Sequence, residues 1–380
     1  MNAAASIPSG SGAGRTTPCV LVIDDSAVVR GLVARWIEAD PRFTLAATCS
    51  DGEQGVKRAG ELQPDLIVLD VEMPRMDGLT ALPLILKAVP GVRVVMASTL
   101  TQKGAEVTMR ALSLGAADFA PKPEAGRLGG AETYRDELLD KLAALAPRVL
   151  RPVPAPGAPR PASSAAPAPA TIRPAASPDV SGRPAPSASQ IALLAIGSST
   201  GGPQALRRVV GALPAKLSIP VVIAQHMPKV FTAILAEHLS REGLPAKEAV
   251  HGEILKPGQI YVAPGDQHLT VTGTPGQFRA NLDQNPPVNF CRPAVDPLFE
   301  SCARAAGKGL VALVLTGMGS DGRTGARFVR DAGGFTIVQD QATSVVWGMP
   351  GAVAEARLAD MILPLEAIGP ELSKRLIGGR

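Results

Sequence analysis

A run of about 40 residues between positions 147 and 190 divides the chain, because it consists almost entirely of Pro, Ala, Ser and Arg. Such a segment cannot bury a core and favours extended polyproline conformations. We therefore predict a linker over 147–190, a folded domain on each side at 18–146 and 191–380, and a disordered tail over 1–17. A flexible coil of this length has an end-to-end distance of roughly 35 Å. The two domains can therefore touch or separate.

Composition limits the class of protein. The 380 residues are 46% apolar but only 3% aromatic, and the net charge is +4. The sequence has no basic stripe with interleaved aromatic residues, so we expect no nucleic-acid partner. The N-terminus lacks an apolar signal-peptide core and no run is long and apolar enough to span a bilayer, so we expect a cytoplasmic protein without membrane insertion. We also expect a monomer. Four cysteines lie far apart without metal-ligand spacing, which is typical of free thiols in a reducing compartment: Cys19, Cys49, Cys291 and Cys302.

The N-terminal domain alternates apolar runs with amphipathic helical stretches. The run CVLVIDD begins at Cys19, and the stretch after it places Val29, Val33 and Ile37 on one helical face. Continuous apolar strands that alternate with helices predict a doubly wound parallel sheet covered on both faces. Four further runs bring the predicted number of strands to five: FTLAATCS, DLIVLD, VRVVMAS and ADFAPKP.

Polar side chains follow four of these predicted strands. In parallel α/β sheets, ligands bind beyond the carboxyl ends of the strands. Clustered carboxylates repel one another unless a hard divalent cation such as Mg²⁺ holds them together, and a lysine and a hydroxyl beside that ion would bind a phosphoryl group. The alternative is that each Asp caps a helix or lies in a solvated turn, but the coincidence at four strand ends favours a site. Its members are Asp24, Asp25, Asp70, Ser98 and Lys122.

The C-terminal domain begins with a buried-strand run, IALLAIGSSTGG, that breaks into a glycine-rich turn. The residues from Gly197 to Gly201 fit the G-x-S-x-G pattern, in which small residues allow a sharp strand-to-helix turn and expose a serine hydroxyl. Pro203 suits the first turn of the following helix. Ser199 is the candidate nucleophile, although such turns also bind phosphate or only reverse the chain.

Two further strand ends supply partners for this serine. His226 follows the run SIPVVIAQ, and Asp321 lies in the glycine-rich loop after GLVALVL. A hydroxyl, an imidazole and a carboxylate are the set that acyl transfer requires. The order Ser, His, Asp differs from that of the α/β-hydrolases. With turns at KPGQ and APGDQ, the pattern predicts a mostly parallel α/β esterase domain with a hairpin insertion.

Other histidines and carboxylates are weaker candidates. His238 lies near the apolar face of a helical run, which is typical of a structural histidine. His251 and His268 belong to the hairpin-rich stretch, where we expect no direct role. Asp296, in NPPVNFCRPAVD, could line a substrate groove.

The N-terminal domain resembles the receiver domain of two-component response regulators over about residues 18–124. The resemblance implies that a histidine kinase phosphorylates Asp70. It also implies that Mg²⁺ is held by Asp25, Asp70 and the Glu72 carbonyl with Asp24 in support, and that Lys122 and Ser98 bind the phosphoryl oxygens. Phe119 stands where such domains usually have an aromatic switch residue, and we assign it no chemistry. The matching residues are Asp24-Asp25, Asp70 in LDVEMPRMDG, Ser98 in VVMAST, and Lys122-Pro123.

The C-terminal domain resembles the catalytic domain of the chemotaxis protein-glutamate methylesterases over about residues 191–365. The resemblance implies hydrolysis of glutamate methyl esters on chemoreceptor helices with release of methanol, and deamidation of receptor glutamines. It implies that Ser199 is the nucleophile, His226 the base and Asp321 its partner, with Thr200 and the Met318 backbone in support and no cofactor in the esterase site. The matching motifs are GSSTGG, QHMP, YVAPGD, PPVN, RP, LTGMGSDG and GMP.

Regulation follows from the two resemblances as a hypothesis. The unphosphorylated receiver packs over the mouth of the Ser199 site, and phosphorylation of Asp70 repacks the surface near Ser98 and Phe119 and frees it. The long linker leaves open how tightly the receiver docks. Alternatives are the same chemistry on receptors of a non-flagellar pathway, a phosphorylation-dependent adaptor without catalysis, and a transcription factor, although no helix-turn-helix is visible.

Overall fold

The structure is a computed structural model, and it describes residues 17–122, 130–146, 187 and 190–377. The predicted tail over 1–17 and linker over 147–190 therefore lie almost wholly outside the described residues. The chain forms two α/β units, and the boundaries that we assigned to them stay predictions. Among the described residues no helix combines the length and the apolarity that crossing a membrane requires.

The N-terminal unit is the predicted five-stranded parallel sheet with helices on both faces, in the strand order β2-β1-β3-β4-β5. Side chains at the N-caps of its first four helices accept backbone amides, which explains why those helices begin where they do: Ser26, Asp51, Asp77 and Thr101. Its elements are β1 (Cys19–Ile23), α1 (Ala27–Ala39), β2 (Thr44–Cys49), α2 (Gly52–Leu62), β3 (Leu66–Asp70), α3 (Gly78–Ala88), β4 (Arg93–Ser98), α4 (Gln102–Ser113), β5 (Asp118–Pro121) and α5 (Gly130–Leu145).

The C-terminal unit has a seven-stranded parallel sheet in the order β14-β13-β12-β6-β7-β9-β8, and the antiparallel hairpin β10-β11 stands apart from it. The predicted esterase-type fold with its hairpin insertion is confirmed. The elements are β6 (Leu193–Ser198), α6 (Gly202–Gly211), β7 (Val221–Gln225), α7 (Lys229–Glu242), β8 (Ala246–Glu248), β9 (Ile260–Val262), β10 (His268–Thr272), β11 (Arg279–Asp283), α8 (Val295–Ala306), β12 (Leu310–Val314), α9 (Arg323–Asp331), β13 (Phe335–Gln339), α10 (Met349–Glu355), β14 (Met361–Leu363) and α11 (Leu365–Ile377).

The strand order of the C-terminal sheet brings the candidate catalytic residues to one edge of that sheet. Strand β6 lies between β7 and β12, and all three strands run parallel. Their carboxyl ends therefore meet at one edge, where Ser199, His226 and the loop that carries Asp321 follow them. Neighbouring strands lie about 4.8 Å apart, so side chains from these three ends are within reach of one another.

The receiver-like unit packs on the other unit through α4 and β5, which face α6 and α7. The ring of Phe119 on β5 stacks on that of Phe231 on α7, with centroids 4.3 Å apart and an interplanar angle of 18°. One continuous cluster of buried apolar side chains includes residues of both units. The structure thus shows a docked arrangement, which the linker composition alone could not decide.

Candidate functional site

Three carboxylates meet at the carboxyl edge of the N-terminal sheet. One oxygen from each of Asp24, Asp25 and Asp70 lies within 4.8 Å of the others. The Lys122 ammonium lies 2.8 Å from an oxygen of Asp24 and 2.8 Å from one of Asp70. Strands β1 and β3 are neighbours and β5 lies beyond β4, and all four run parallel, so their carboxyl ends bring the predicted cluster together at this edge.

The charges of this cluster are only partly balanced. Burial raises the pKa of the Asp70 carboxyl to about 6, against the opposing effect of Lys122. Burial also acts to lower the pKa of Lys122, but the neighbouring carboxylates, Asp70 first, outweigh it and hold that pKa above its ordinary value. Three carboxylates thus share one ammonium. A set of oxygen donors with excess negative charge suits a hard cation, so Asp24, Asp25 and Asp70 fit the Mg²⁺ that receiver domains use.

Ser98 and Glu72, which we also predicted for the phosphorylation site, do not contact the carboxylate cluster through their side chains. The Ser98 hydroxyl is buried and donates to the carbonyl of Gly104 in the first turn of α4, at 3.2 Å. The Glu72 side chain is exposed and lies 3.8 Å from the ammonium of Lys103. A role for the Glu72 carbonyl stays a prediction. In this state Ser98 is bonded to helix α4 and not to the carboxylate cluster.

The turn that carries Ser199 is held by close packing and by Gln225. Gly201 adopts a left-handed conformation, with φ 76°. A Cβ on Gly202 would stand 2.0 Å from the Gln225 amide oxygen. That oxygen accepts the Ser198 hydroxyl at 2.7 Å, and the Gln225 amide nitrogen donates to the Ser199 carbonyl at 3.0 Å. The glycines of the motif therefore allow a turn that a buried glutamine fixes.

His226 and Asp321 are in direct contact. The imidazole Nε2 donates to Asp321 Oδ2 at 2.8 Å. The buried carboxylate also accepts the backbone amides of Val295 at 2.6 Å and Asp296 at 3.0 Å. Burial acts to raise the pKa of Asp321, but the bond from His226 and these amides hold that pKa below its ordinary value. Asp321 is thus an ionised carboxylate that fixes the orientation of the imidazole.

The other ring nitrogen of His226 faces a cysteine and not the serine. Its Nδ1 lies 3.3 Å from the sulfur of Cys291. The structure, within the residues that it describes, has no hydrogen bond between the Ser199 hydroxyl and His226, so the contact expected for a general base is not formed in this state. Burial acts to lower the pKa of His226, but the hydrogen bonds with Asp321 and Cys291 outweigh it and raise that pKa above its ordinary value. The docked state therefore favours the imidazolium, which cannot accept a proton.

Backbone amides suited to an oxyanion lie beside the serine. A Cβ on Gly317 would stand 2.8 Å from Ser199 Cβ, so the loop that leads to Met318 passes against the nucleophile. No hydrogen-bond acceptor is found for the backbone N–H of Thr200 or Met318 among the described residues. These two amides are available to a developing negative charge.

Asn289 and Asp296 form a second group of side chains around Asp321. The Asn289 amide donates to Asp321 and to Asp296, at 3.0 Å each. Asp296, which could have lined a substrate groove, is buried and accepts the amides of Gly322 and Gly325, so it supports the Asp321 loop. Burial and the nearby Asp321 charge raise the pKa of Asp296. The motif PPVN contains Asn289, but no local pattern shows that its side chain reaches Asp321.

The remaining histidines lie in structural settings. His268 is buried, and its ring contacts the Pro286 carbonyl and the Ala294 amide at 3.2 Å each. His251 contacts the Leu282 backbone at 3.1 Å. His238 is partly buried on α7, and burial lowers its pKa. None of these contacts involves Ser199 or Asp321.

The N-terminal unit bonds to the catalytic turn. Asp118, at the start of β5, accepts the hydroxyl of Thr200 at 2.6 Å. The Lys141 ammonium lies 3.8 Å from Asp118 and 2.7 Å from Glu137. This contact is buried and adjoins the nucleophile.

Helix α6 adds a second set of bonds to the N-terminal unit. The Gln204 amide donates to the carbonyls of Leu112 and Ala116, at 3.0 and 2.7 Å. Arg207 donates to the Ser113 hydroxyl at 2.8 Å and pairs with Glu242. Polar contacts thus surround the apolar contact between Phe119 and Phe231.

Comparisons with known proteins agree with these two units. The CheB methylesterase family matches residues 194–372, and the response regulator receiver domain matches residues 20–128. A protein-glutamate methylesterase/protein-glutamine glutaminase of Maricaulis maris is 58% identical over 385 aligned positions that cover 95% of this chain and 96% of the relative. Another, from Caulobacter vibrioides, is 50% identical and covers 94% of this chain and 98% of the relative. The solved CheB methylesterase catalytic domain of Thermotoga maritima is 42% identical, covers 48% of this chain and 98% of that chain, and gives a TM-score of 0.47.

Proposed function

Because this chain belongs to the protein-glutamate methylesterase/protein-glutamine glutaminase family and carries a receiver domain ahead of its methylesterase domain, we propose that Ser199, His226 and Asp321 form its catalytic set. The protein is a methylesterase and glutaminase that acts in chemotaxis receptor adaptation. Nothing in the comparisons favours a non-catalytic adaptor. The observation that carries the residue assignment is the 2.8 Å bond between His226 and Asp321 at the strand ends beside Ser199.

The chemistry at the serine follows the acyl-transfer pattern. Ser199 Oγ attacks the carbonyl of a glutamate methyl ester while His226 accepts its proton, and the amides of Thr200 and Met318 stabilise the oxyanion. Return of that proton to the methoxy oxygen releases methanol. Water, deprotonated by the same imidazole, then frees the glutamate carboxylate. A glutamine side chain follows the same course with ammonia as the leaving group.

The imidazole has to change partners for this step. Asp321 holds Nε2, so Nδ1 is the nitrogen left to accept the serine proton, and in the docked state it contacts Cys291. Catalytic hydrogen bonds are often long or poorly aligned in the absence of substrate and shorten only in the substrate complex. Movement of Nδ1 from the sulfur to the hydroxyl therefore accompanies activation in our proposal.

The receiver domain supplies the control. A histidine kinase phosphorylates Asp70, and Asp24, Asp25 and Asp70 would hold the Mg²⁺ that neutralises the incoming phosphoryl charge. Lys122, already 2.8 Å from Asp70, would pair with a phosphoryl oxygen. Ser98 would exchange the Gly104 carbonyl for another phosphoryl oxygen. Because Gly104 lies on α4, which packs on α7, this exchange weakens docking and frees Thr200.

The direct test is release of methanol from a methylated chemoreceptor by the wild type and by Ser199→Ala, with ammonia release from an unprocessed receptor as the second readout. We expect loss of both products in Ser199→Ala. Equal rates for the two proteins would remove the serine assignment. Circular dichroism on both proteins checks that the variant is folded.

A further inference from the structure

The loop beside the catalytic set ends in a tight two-residue turn. Val288 and Cys291 exchange both backbone hydrogen bonds, at 3.1 and 2.9 Å. The two residues between them, Asn289 and Phe290, have φ values of 50° and 63°. Both positions lie in the left-handed region that favours Gly and Asn, as in hairpin turns of type I′. Asparagine suits its position, whereas phenylalanine does not.

Phe290 is also fully exposed. Its relative exposure is 104%, the highest value among the large apolar side chains that the structure describes as exposed. An exposed phenylalanine in an unfavourable backbone conformation contributes neither to the core nor to the turn. Residues held in sparsely populated backbone conformations cluster at active sites and ligand-binding positions. The docked receiver leaves this ring uncovered.

The turn is attached rigidly to the catalytic residues. On one side of Phe290, the Asn289 amide bonds both Asp321 and Asp296 at 3.0 Å. On the other side, the Cys291 sulfur lies 3.3 Å from His226 Nδ1. Phe290 therefore stands between two residues that contact Asp321 and His226 directly.

A second exposed apolar side chain belongs to the same mouth. Met318 is 36% exposed and follows Gly317, which passes against Ser199. The mouth thus carries apolar groups on two loops, one beside His226 and one beside Ser199. A helix that carries apolar side chains three or four residues from the esterified glutamate presents them on the same face as that glutamate.

We propose that Phe290 is a substrate-recognition residue that packs against an apolar side chain of the receptor helix next to the glutamate methyl ester. The inference rests on the proposed function. It assigns to Phe290 a contact with the receptor polypeptide that is separate from the contacts made by the ester group. It predicts that Phe290 matters for a helical protein substrate and is irrelevant for a small ester.

The test compares wild type with Phe290→Ala on two substrates, a methylated chemoreceptor cytoplasmic fragment and N-acetyl-glutamate γ-methyl ester amide. We expect KM for the fragment to rise about tenfold, as for loss of a buried aromatic anchor, with kcat within about twofold, and no change with the small ester. Phe328→Ala on α9, where the ring is 37% exposed, is the matched control and should behave as wild type. Phe290→Leu should recover part of the lost affinity.

A binding measurement separates this inference from the assignment of the nucleophile. Affinity of the methylated fragment for Ser199→Ala, with and without Phe290→Ala, is measured by fluorescence anisotropy. A tenfold loss caused by the second change supports the inference even if Ser199 is not the nucleophile. Equal affinities, or equal losses of activity on both substrates, would overturn it, because Phe290 would then be neutral or merely structural.

Discussion

Asp118 of the receiver domain accepts the hydroxyl of Thr200 at 2.6 Å, so the regulatory domain is bonded to the residue that follows the proposed nucleophile. Hydrogen bonds to charged groups contribute about 1.5–3 kcal/mol. Asp118→Ala should therefore weaken docking and raise the unphosphorylated rate of ester hydrolysis on the order of tenfold or more. Asp136→Ala, an exposed change on α5, is the control and should leave the rate unaltered. An unchanged rate in Asp118→Ala would show that this bond does not restrain the esterase.

Gln204 tests docking at a site away from the nucleophile. Its amide donates to two carbonyls at the end of α4, and Gln204→Ala removes both bonds, each worth about 0.5–1.5 kcal/mol. We expect a several-fold higher basal rate and a larger radius of gyration by small-angle X-ray scattering. Arg208→Ala, the exposed neighbour on the same helix, should change neither. A higher rate without expansion would contradict release of the receiver.

Cys291 should set the pH at which the enzyme becomes active. The base must be neutral, so activity rises as pH passes the His226 pKa, which the contact with Cys291 helps to raise. Cys291→Ala should lower that pKa and move the rising limb of the pH–rate profile to lower pH. Cys291→Ser, which keeps a hydrogen-bonding group, should move it less. A shift of the limb to higher pH in Cys291→Ala would have the wrong sign for this account.

Gly202 should be intolerant of a methyl group. A Cβ there would stand 2.0 Å from the Gln225 oxygen and would displace the side chain that holds Ser198 and Ser199. We expect Gly202→Ala to lower stability by about 1–3 kcal/mol and to lower kcat. Gly60→Ala, where no atom lies within 4 Å and the residue is on an exposed helix surface, should instead stabilise by about 0.5–1 kcal/mol. Denaturant unfolding and ester hydrolysis measure both effects.

Variants of Asp70 and Ser98 distinguish phosphorylation of the receiver domain from transmission of the signal to the esterase domain. Asp70→Asn should keep the basal rate and lose the increase that acetyl phosphate produces with Mg²⁺. Ser98→Ala should still be phosphorylated on a phosphate-affinity gel but gain less activity, because the hydroxyl now bonded to Gly104 is missing. Full activation of Ser98→Ala would show that the signal takes another route.

Sequence patterns predicted the features that depend on strand order. Ser199, His226 and Asp321 follow buried runs, and parallel strands bring such ends to one edge. The same reasoning placed Asp24, Asp70 and Lys122 together.

Contacts between distant loops were beyond such reasoning. The approach of Cys291 to His226 depends on a turn whose residues form no strand or helix, and the bond from Asn289 to Asp321 joins segments 32 positions apart. Composition also left docking undecided, because the bond from Thr200 to Asp118 arises from complementary surfaces and not from any local pattern. The Ser199–His226 bond was expected from the residue set, yet in the docked state the imidazole faces the cysteine.

The apolar cluster shared by the two domains makes separation of the receiver domain unfavourable in free energy. Lifting the receiver away brings part of the cluster, including the faces of Phe119 and Phe231, into water, which is unfavourable by about 25 cal/mol for each Å² exposed. In the proposed mechanism we therefore expect the separated form to unfold at a lower temperature than the docked form. Activation and resistance to unfolding thus oppose each other in the proposed mechanism.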